Sequence, residues 1–213
     1  MITVYVFGNA PLPVREVTRD LRVLWALEES GLPYRLRRLD YAAGELKRRD
    51  YTRIHPFGQI PAIDDDGFTL FESAAIVLYL AEKAGVLLPK TREGRVRTTQ
   101  WAFTAVNTVE PAIVELFTAD AFSAGEAWAV ERRPAQVERV KTRLAALEGE
   151  LAARPYVLGD QFSAPDILLA TVLRMVRQPE LVEVPNVVAY LARCEARPAW
   201  GRVLAEHRQR LAA

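Results

Sequence analysis

The stretch HPFGQIPAI, residues 55–63, is a loop that runs directly into an apolar segment, with Pro61 at the point of entry. A cis bond before Pro61 would turn the preceding backbone outward and leave the N–H and C=O groups of Ile60 unpaired. An extended ligand can pair with such groups as an added strand does. We therefore expect Ile60 and Pro61 to form a backbone site for a peptide.

A second motif, FESAAI at residues 71–76, begins an amphipathic helix with Glu72 and Ser73 at its start. The first N–H groups of a helix have no partner within it, and they carry partial positive charge. An acidic group of a ligand can dock there, and Ser73 adds a hydroxyl. The two motifs together predict a binding site for a small anionic peptide.

The composition describes a globular chain of 213 residues, half of them hydrophobic, with enough length for two small domains. Lys and Arg number 28 against 27 Asp and Glu, so nothing in the net charge of +1 indicates nucleic acid or an anionic membrane surface as a partner. We expect a cytoplasmic protein with no membrane segment. The single cysteine, Cys194, offers no disulfide framework, and two histidines do not predict a metal site.

The first part of the chain predicts an α/β domain in the order βαβ–ββα, with helices packed on a sheet. The predicted strands are residues 2–7, 34–39, 60–63 and 68–71, and the last two flank an Asp-Gly turn over residues 64–67. The helix between the first two strands should end at Gly31, and residues 44–54 should form a polar connection. This pattern resembles a thioredoxin-like domain.

Beyond a linker at residues 85–90 the pattern changes to helical periods, with loops near 120–134, 155–162 and 178–186. We expect domain 1 to span residues 1–83 and an all-helical domain 2 to span residues 92–213. Within domain 2, Ser163 and Asp166 have the spacing of a capping box, so we interpret Asp166 as a folding residue.

The order and spacing of the proline loop and the Glu-Ser pair resemble the glutathione transferase family, in its theta or phi-like bacterial form, over nearly the whole chain. The resemblance implies that Ile60 and Pro61 hold the cysteinyl unit of glutathione, and that Glu72 and Ser73 hold its γ-glutamyl end. It also implies glutathione as a substrate, with no prosthetic cofactor. Lys47 and Gln59 are the candidates for the glycyl carboxylate, and the alternative for Lys47 is an ordinary solvated charge.

The residue that donates a hydrogen bond to the glutathione sulfur is the least clear part of this pattern. The family uses a Tyr at the end of the first strand or a Ser before the first helix, whereas here Phe7 stands at the Tyr-like place. Thr18 is the best remaining hydroxyl, and the alternative is that it caps the first helix. No cysteine precedes Cys194, which argues against the cysteine-based thiol exchange of glutaredoxin-like relatives.

The resemblance further implies a pocket for a small electrophile between the domains, and a homodimer. Asn9, Trp101 and Asn107 are the candidates for lining that pocket, although aromatic residues at helical spacing belong more often to a core.

The leading hypothesis for function is an enzyme that stabilises the thiolate of glutathione and adds it to a small electrophile. A glutathione-dependent isomerase or dehalogenase would use the same thiolate. The third alternative is a non-catalytic scaffold that keeps the fold for dimerisation or docking, since related folds do lose their activities.

Overall fold

The computed structural model describes residues 1–181 and 183–212, which group by contact into two compact units. The first unit is Met1–Leu87 together with the described residues from Arg197 onward, and the second is Leu88–Ala196. The division near residue 88 falls within the predicted linker. The C-terminal helix groups with the first unit, whereas the predicted domain 2 includes it. Helical periodicity alone does not reveal which unit a helix packs against.

The first unit contains a mixed sheet with the strand order β2-β1-β3-β4. β1 runs parallel to β2, with Val4 opposite Leu36, and antiparallel to β3, with Val4 opposite Ile63. The strands are β1 Ile2–Phe7, β2 Tyr34–Leu39, β3 Ala62–Asp65 and β4 Phe68–Phe71, and the helices between and after them are α1 Asp20–Ser30, α2 Arg49–Thr52 and α3 Ser73–Ala84. The predicted thioredoxin-like order is confirmed.

α1 connects the two parallel strands, as a crossover between parallel strands requires. Residues 21–27 are all buried. The helix ends at Gly31, whose φ of 66° is left-handed and whose N–H donates to the Leu27 carbonyl over 2.9 Å. The predicted glycine stop is confirmed, because a residue without a Cβ adopts this conformation without steric cost.

The hairpin between β3 and β4 has a tighter turn than the sequence pattern predicts. Asp65 pairs with Phe68, so only Asp66 and Gly67 form the turn, with φ values of 52° and 94°. Two residues with positive φ form the turn that matches the twist of paired strands. Both bounds of the predicted strand at residues 60–63 are wrong, because β3 begins at Ala62 and because Asp64 and Asp65 continue the ladder.

The predicted polar connection over residues 44–54 contains two short helices, a 3-10 turn at Glu45–Lys47 and α2. Leu46 and Tyr51 anchor the segment, since both are buried in one cluster with Ile60 and Ala62. The many charged residues around these two apolar side chains obscure the pattern in the sequence.

The second unit is helical, as predicted. Its helices are α4 Arg92–Phe103, α5 Glu110–Phe122, α6 Ala127–Leu151, α7 Ala164–Leu173 and α8 Pro185–Glu195, and α9 Pro198–Ala212 follows in the first unit. A π-helical turn at Thr104–Val109 joins α4 to α5. A single wide turn of this kind leaves no distinct pattern in the sequence.

The predicted loop near residues 120–134 is shorter in the structure. α6 begins at Ala127 and continues through Pro134. A proline inside a helix removes one backbone hydrogen bond. Ion pairs stabilise the helix next to Pro134, where Arg133 pairs with Asp120 at 3.0 Å and with Glu180 at 2.8 Å.

The predicted capping box at the start of α7 is present. Asp166 is fully buried, and its carboxylate accepts from the Ser163 N–H at 2.9 Å and from the Ser163 hydroxyl at 2.6 Å. It also accepts from the Val157 N–H and the Tyr190 hydroxyl, both at 3.0 Å. Asp166 therefore joins the preceding loop and α8 to the start of α7.

α9 packs along α1 within the first unit. Trp200 lies against Trp25 with ring centroids 4.6 Å apart. Arg197 donates to both carboxylate oxygens of Glu29 at 2.7 Å. This apolar contact and the paired charges explain why the C-terminal helix belongs with the sheet domain.

Candidate functional site

The proline loop has the geometry that the sequence predicts. The Ile60–Pro61 bond is cis, and both residues are buried. Within the described part of the chain, neither the N–H nor the C=O of Ile60 has a hydrogen-bond partner. The Tyr51 hydroxyl donates to the neighbouring Gln59 carbonyl and fixes that side of the loop.

Gly58 brings the proline loop against the segment that carries Lys47. Its φ is 58°, and a Cβ on Gly58 would lie 2.6 Å from the Leu46 carbonyl oxygen. Only glycine permits this approach. The structure therefore places the exposed Gln59 and the exposed Lys47 on neighbouring segments, as a shared role at one end of a ligand requires.

Glu72 and Ser73 lie where β4 passes into α3. Ala62 pairs with Phe71, so the residues before Ala62 and those after Phe71 leave the hairpin at the same end. Glu72 is exposed and has φ 71° and ψ 109°, a conformation that non-glycine residues rarely adopt. Such an outlier is typical of functional sites, and here it directs the chain into α3 with Ser73 as the first helical residue.

The side chain that sequence reasoning missed is Arg22. It lies on α1, is only 2% exposed, and donates from Nη1 to the Ser73 Oγ at 3.1 Å. Because the Ser73 oxygen accepts from Arg22, its own proton is left to donate to an anion at the start of α3. The signal was a charged residue inside the otherwise apolar run LRVLWAL at residues 21–27.

Thr18 lies in the loop between β1 and α1, residues 8–19, which we call the first loop. The side chain is 7% exposed, and its hydroxyl has no hydrogen-bond partner among the described residues. The hydroxyl therefore does not cap α1, which was the alternative for this residue. A buried hydroxyl without a partner is costly, and its role at the glutathione sulfur stays a prediction.

Asn9, also in the first loop, has a structural task. Its amide donates to the Asp40 carboxylate at 2.8 Å and accepts from the Tyr41 N–H at 3.1 Å. The side chain thus ties the first loop to the turn after β2. A role in a substrate pocket stays a prediction.

Trp101 and Asn107 lie in the second unit. Trp101 is half-buried, and the Arg154 guanidinium lies 5.5 Å from its ring centroid. Asn107 is exposed on the π-helical turn, a feature that is often found at functional sites. Their place in an electrophile pocket stays a prediction.

His55 belongs to an aromatic cluster under the proline loop. Its ring lies 4.9 Å from that of Phe71 and 6.3 Å from that of Phe57. Burial lowers the pKa of His55 below its ordinary value, although the Glu72 carboxylate acts in the opposite direction. The imidazole is therefore neutral at neutral pH.

The lowered pKa of His55 predicts that the protein loses stability in acid. The unfolded chain takes up the proton first as the pH falls through the ordinary pKa of 6.5, so the free energy of unfolding decreases below that pH. His55→Phe keeps the aromatic contacts and removes the titrating group. Urea unfolding at about pH 7.5 and about pH 5.5 should show a smaller acid loss in the variant. Equal losses in both proteins would contradict this assignment.

Within residues 1–181 and 183–212, no cluster of three or more His, Cys, Asp or Glu side chains could hold a metal ion. No helix in these ranges combines the length and the apolar character that crossing a membrane needs.

Comparison with protein families identifies both parts of the chain. The model described as the glutathione S-transferase N-terminal domain matches residues 21–83. The model described as the glutathione S-transferase C-terminal domain matches residues 112–198.

Individual relatives share most of the chain. The disulfide-bond oxidoreductase YfcG of Escherichia coli is 35% identical over 188 residues, which cover 84% of this chain and 86% of that protein. Glutathione S-transferase 3 of Zea mays is 31% identical over 199 residues, covering 87% and 88%.

Solved structures agree in fold. A glutathione transferase from Burkholderia graminis with two glutathione molecules bound per subunit has a TM-score of 0.85 and 30% identity, covering 95% of this chain and 87% of that one. A glutathione transferase from Pseudomonas putida with one glutathione disulfide bound per subunit has a TM-score of 0.84 and 26% identity, covering 95% and 90%.

Proposed function

Because the chain belongs to the glutathione S-transferase family, we propose that it is a glutathione transferase that binds reduced glutathione on its first unit and adds the sulfur to a small electrophile. The observation that carries the proposal is the start of α3. There the buried Ser73 hydroxyl, oriented by Arg22, lies beside unpaired helix N–H groups, and the unpaired backbone of Ile60 leaves the hairpin at the same end.

Each end of glutathione has a matching group on the protein. Ser73 and the first N–H groups of α3 bind the γ-glutamyl carboxylate, and Glu72 pairs with the adjacent ammonium. Ile60 pairs through its main chain with the cysteinyl unit. Lys47 and Gln59, on segments that Gly58 holds together, bind the glycyl carboxylate. Glutathione is thus a substrate that the reaction consumes.

Thr18 increases the reactivity of the sulfur. A thiol has a pKa of about 8.5 and is mostly protonated at neutral pH. A hydroxyl that donates a hydrogen bond to the thiolate lowers this pKa. The thiolate then attacks an electrophilic carbon, and a carbon–sulfur bond forms while the leaving group departs with its electron pair. With an enone, the carbanion formed takes a proton from water.

Replacement of Thr18 tests this mechanism. We expect Thr18→Val to lower turnover of an aryl halide about tenfold while the dissociation constant of glutathione changes by less than about twofold, because the hydroxyl acts on ionisation rather than on docking. The control is Thr18→Ser, which keeps the hydroxyl and should retain most of the activity. Equal turnover in Thr18→Val and the unaltered protein would remove Thr18 from the mechanism.

A second candidate is disulfide reduction, which the 35% identical disulfide-bond oxidoreductase of Escherichia coli favours. Cys194 is buried, so the exchange would run between two glutathione molecules. The first thiolate attacks the substrate disulfide and releases one thiolate. The second attacks the glutathione sulfur of the mixed disulfide, and glutathione disulfide forms as the other substrate sulfur leaves. Two glutathiones are oxidised, and the two released thiolates take up protons.

An assay of both reactions distinguishes the candidates. The protein is given reduced glutathione with either an aryl halide or a small organic disulfide. Conjugation without disulfide reduction supports the transferase, and the reverse supports the reductase. If glutathione binds but neither reaction occurs, the result supports an isomerase or a dehalogenase. If glutathione does not bind, the result supports the non-catalytic scaffold. The electrophile, the homodimer and the cytoplasmic location stay predictions.

A further inference from the structure

The first unit buries the guanidinium of Arg210, near the end of α9, as well as that of Arg22. Arg210 is 1% exposed, and its side chain is completely buried. It donates from Nη1 to the carbonyl of Phe7 and lies 3.2 Å from the Asp20 carboxylate. Its Nη2 lies 2.8 Å from the His207 Nδ1.

The two partners of Nη1 delimit the first loop. Phe7 is the last residue of β1, and Asp20 is the first residue of α1. One planar, rigid cation therefore contacts both ends of residues 8–19, the loop that contains Thr18. Buried charges in proteins are paired because an unpaired one is expensive, so this contact strongly fixes the distance between the loop ends.

The neighbouring groups strengthen the same connection. The His207 imidazole is completely buried, and burial lowers its pKa, so it is neutral and can accept from Arg210 at Nδ1. At the surface, Arg208 donates to Glu16 of the first loop at 2.6 Å. The last turns of α9 thus contact the two residues that flank the first loop and Glu16 within it.

We propose that Arg210 is a positioning residue of the thiol site: by holding both ends of the first loop, it keeps the Thr18 hydroxyl where the glutathione sulfur can accept its hydrogen bond. This inference rests on the proposed function. It assigns to the C-terminal helix a task in thiolate formation, whereas the groups proposed to bind the peptide lie in the proline loop, α3 and the Lys47 segment.

Arg210→Met should impair ionisation more than binding. We expect turnover to fall about tenfold and the apparent pKa of bound glutathione, followed by thiolate absorbance, to rise by about one unit. The dissociation constant of glutathione should change by less than about twofold. Arg202→Met is the matched control, because it removes another α9 arginine that pairs with an α1 carboxylate, Glu28, away from the loop.

A second variant covers the risk that Arg210→Met fails to fold, since it leaves Asp20 without its cation. Arg210→Lys keeps a charge for Asp20 but lacks the planar fork that reaches both loop ends. We expect Arg210→Lys to raise the pKa of the bound thiol as well, but by less than Arg210→Met does. An unchanged pKa in folded variants, or a loss of glutathione binding equal to the loss of turnover, would overturn the proposal.

Hydrogen exchange separates this inference from the proposed function. In the folded variant, amides of the first loop should exchange faster than in the unaltered protein, while those of β3, β4 and α3 stay unchanged. This readout needs no activity. Faster loop exchange in a protein without any glutathione chemistry would refute the proposed function but support the role of Arg210 in holding the first loop. Unchanged loop exchange would refute that role of Arg210.

Discussion

Glutathione should raise the melting temperature of the protein, and Ser73→Ala combined with Glu72→Gln should abolish that rise. A ligand at a hundred times its dissociation constant adds about 2.7 kcal/mol to stability. For a chain of this size, that corresponds to about 5 to 10 °C. The double variant removes the hydroxyl that Arg22 contacts and the carboxylate that we propose pairs with the ammonium of glutathione. Each charge-assisted hydrogen bond contributes about 1.5 to 3 kcal/mol, so the affinity should fall at least a hundredfold.

Differential scanning fluorimetry over a series of glutathione concentrations measures this effect. The matched control is Ser123→Ala with Glu126→Gln, a Ser and Glu pair in the second unit where Glu126 is exposed. That control should keep the full shift. A shift of the same size in the Ser73 and Glu72 double variant would mean that glutathione binds elsewhere. No shift in the unaltered protein would support the scaffold alternative.

Asp166→Ala should destabilise the protein by about 4 kcal/mol. The carboxylate accepts from the Val157 N–H, from the hydroxyl of Tyr190, and from the N–H and hydroxyl of Ser163, and it is completely buried. Truncation leaves several buried donors without acceptors, and each such group costs about 1 to 3 kcal/mol. The capping box at the start of α7 is lost as well.

Urea unfolding of the full chain measures this loss. Asp160→Ala removes an exposed carboxylate just before α7 and should change the stability by less than about 0.5 kcal/mol. Glutathione should still bind to the folded fraction of Asp166→Ala, because none of the proposed binding residues contacts Asp166. A loss below about 1 kcal/mol would show that water replaces the carboxylate and that Asp166 is not the folding residue we describe.

The fold could be predicted where the signal is local. The alternating apolar residues of β1, the Gly31 stop and the Ser163 to Asp166 spacing each correspond to one element of the structure. The π-helical turn and the passage of α6 through Pro134 could not be predicted. Both depend on packing and side-chain ties that outweigh local preference, such as the pairing of Arg133 with Asp120.

In the candidate site, too, the features with a local sequence signal could be predicted and those that depend on distant partners could not. The cis bond at Ile60–Pro61 and the helix start at Ser73 follow from short motifs, and the structure has both. Arg22 and Arg210 act across 51 and 190 residues of sequence, on Ser73 and Asp20 respectively. Their partners become visible only after folding, although a charged residue in an apolar helix is a signal that a buried partner exists.

A crystal structure of the protein with reduced glutathione would show the proposed binding mode directly. We expect the cysteinyl N–H and C=O groups to pair with the backbone of Ile60, and the γ-glutamyl carboxylate to accept from Ser73 at the start of α3. The sulfur should lie within hydrogen-bond distance of the Thr18 hydroxyl, about 3.5 Å for an acceptor of this size. Glutathione bound with its γ-glutamyl end away from Ser73, or with no contact to Ile60, would contradict this binding mode.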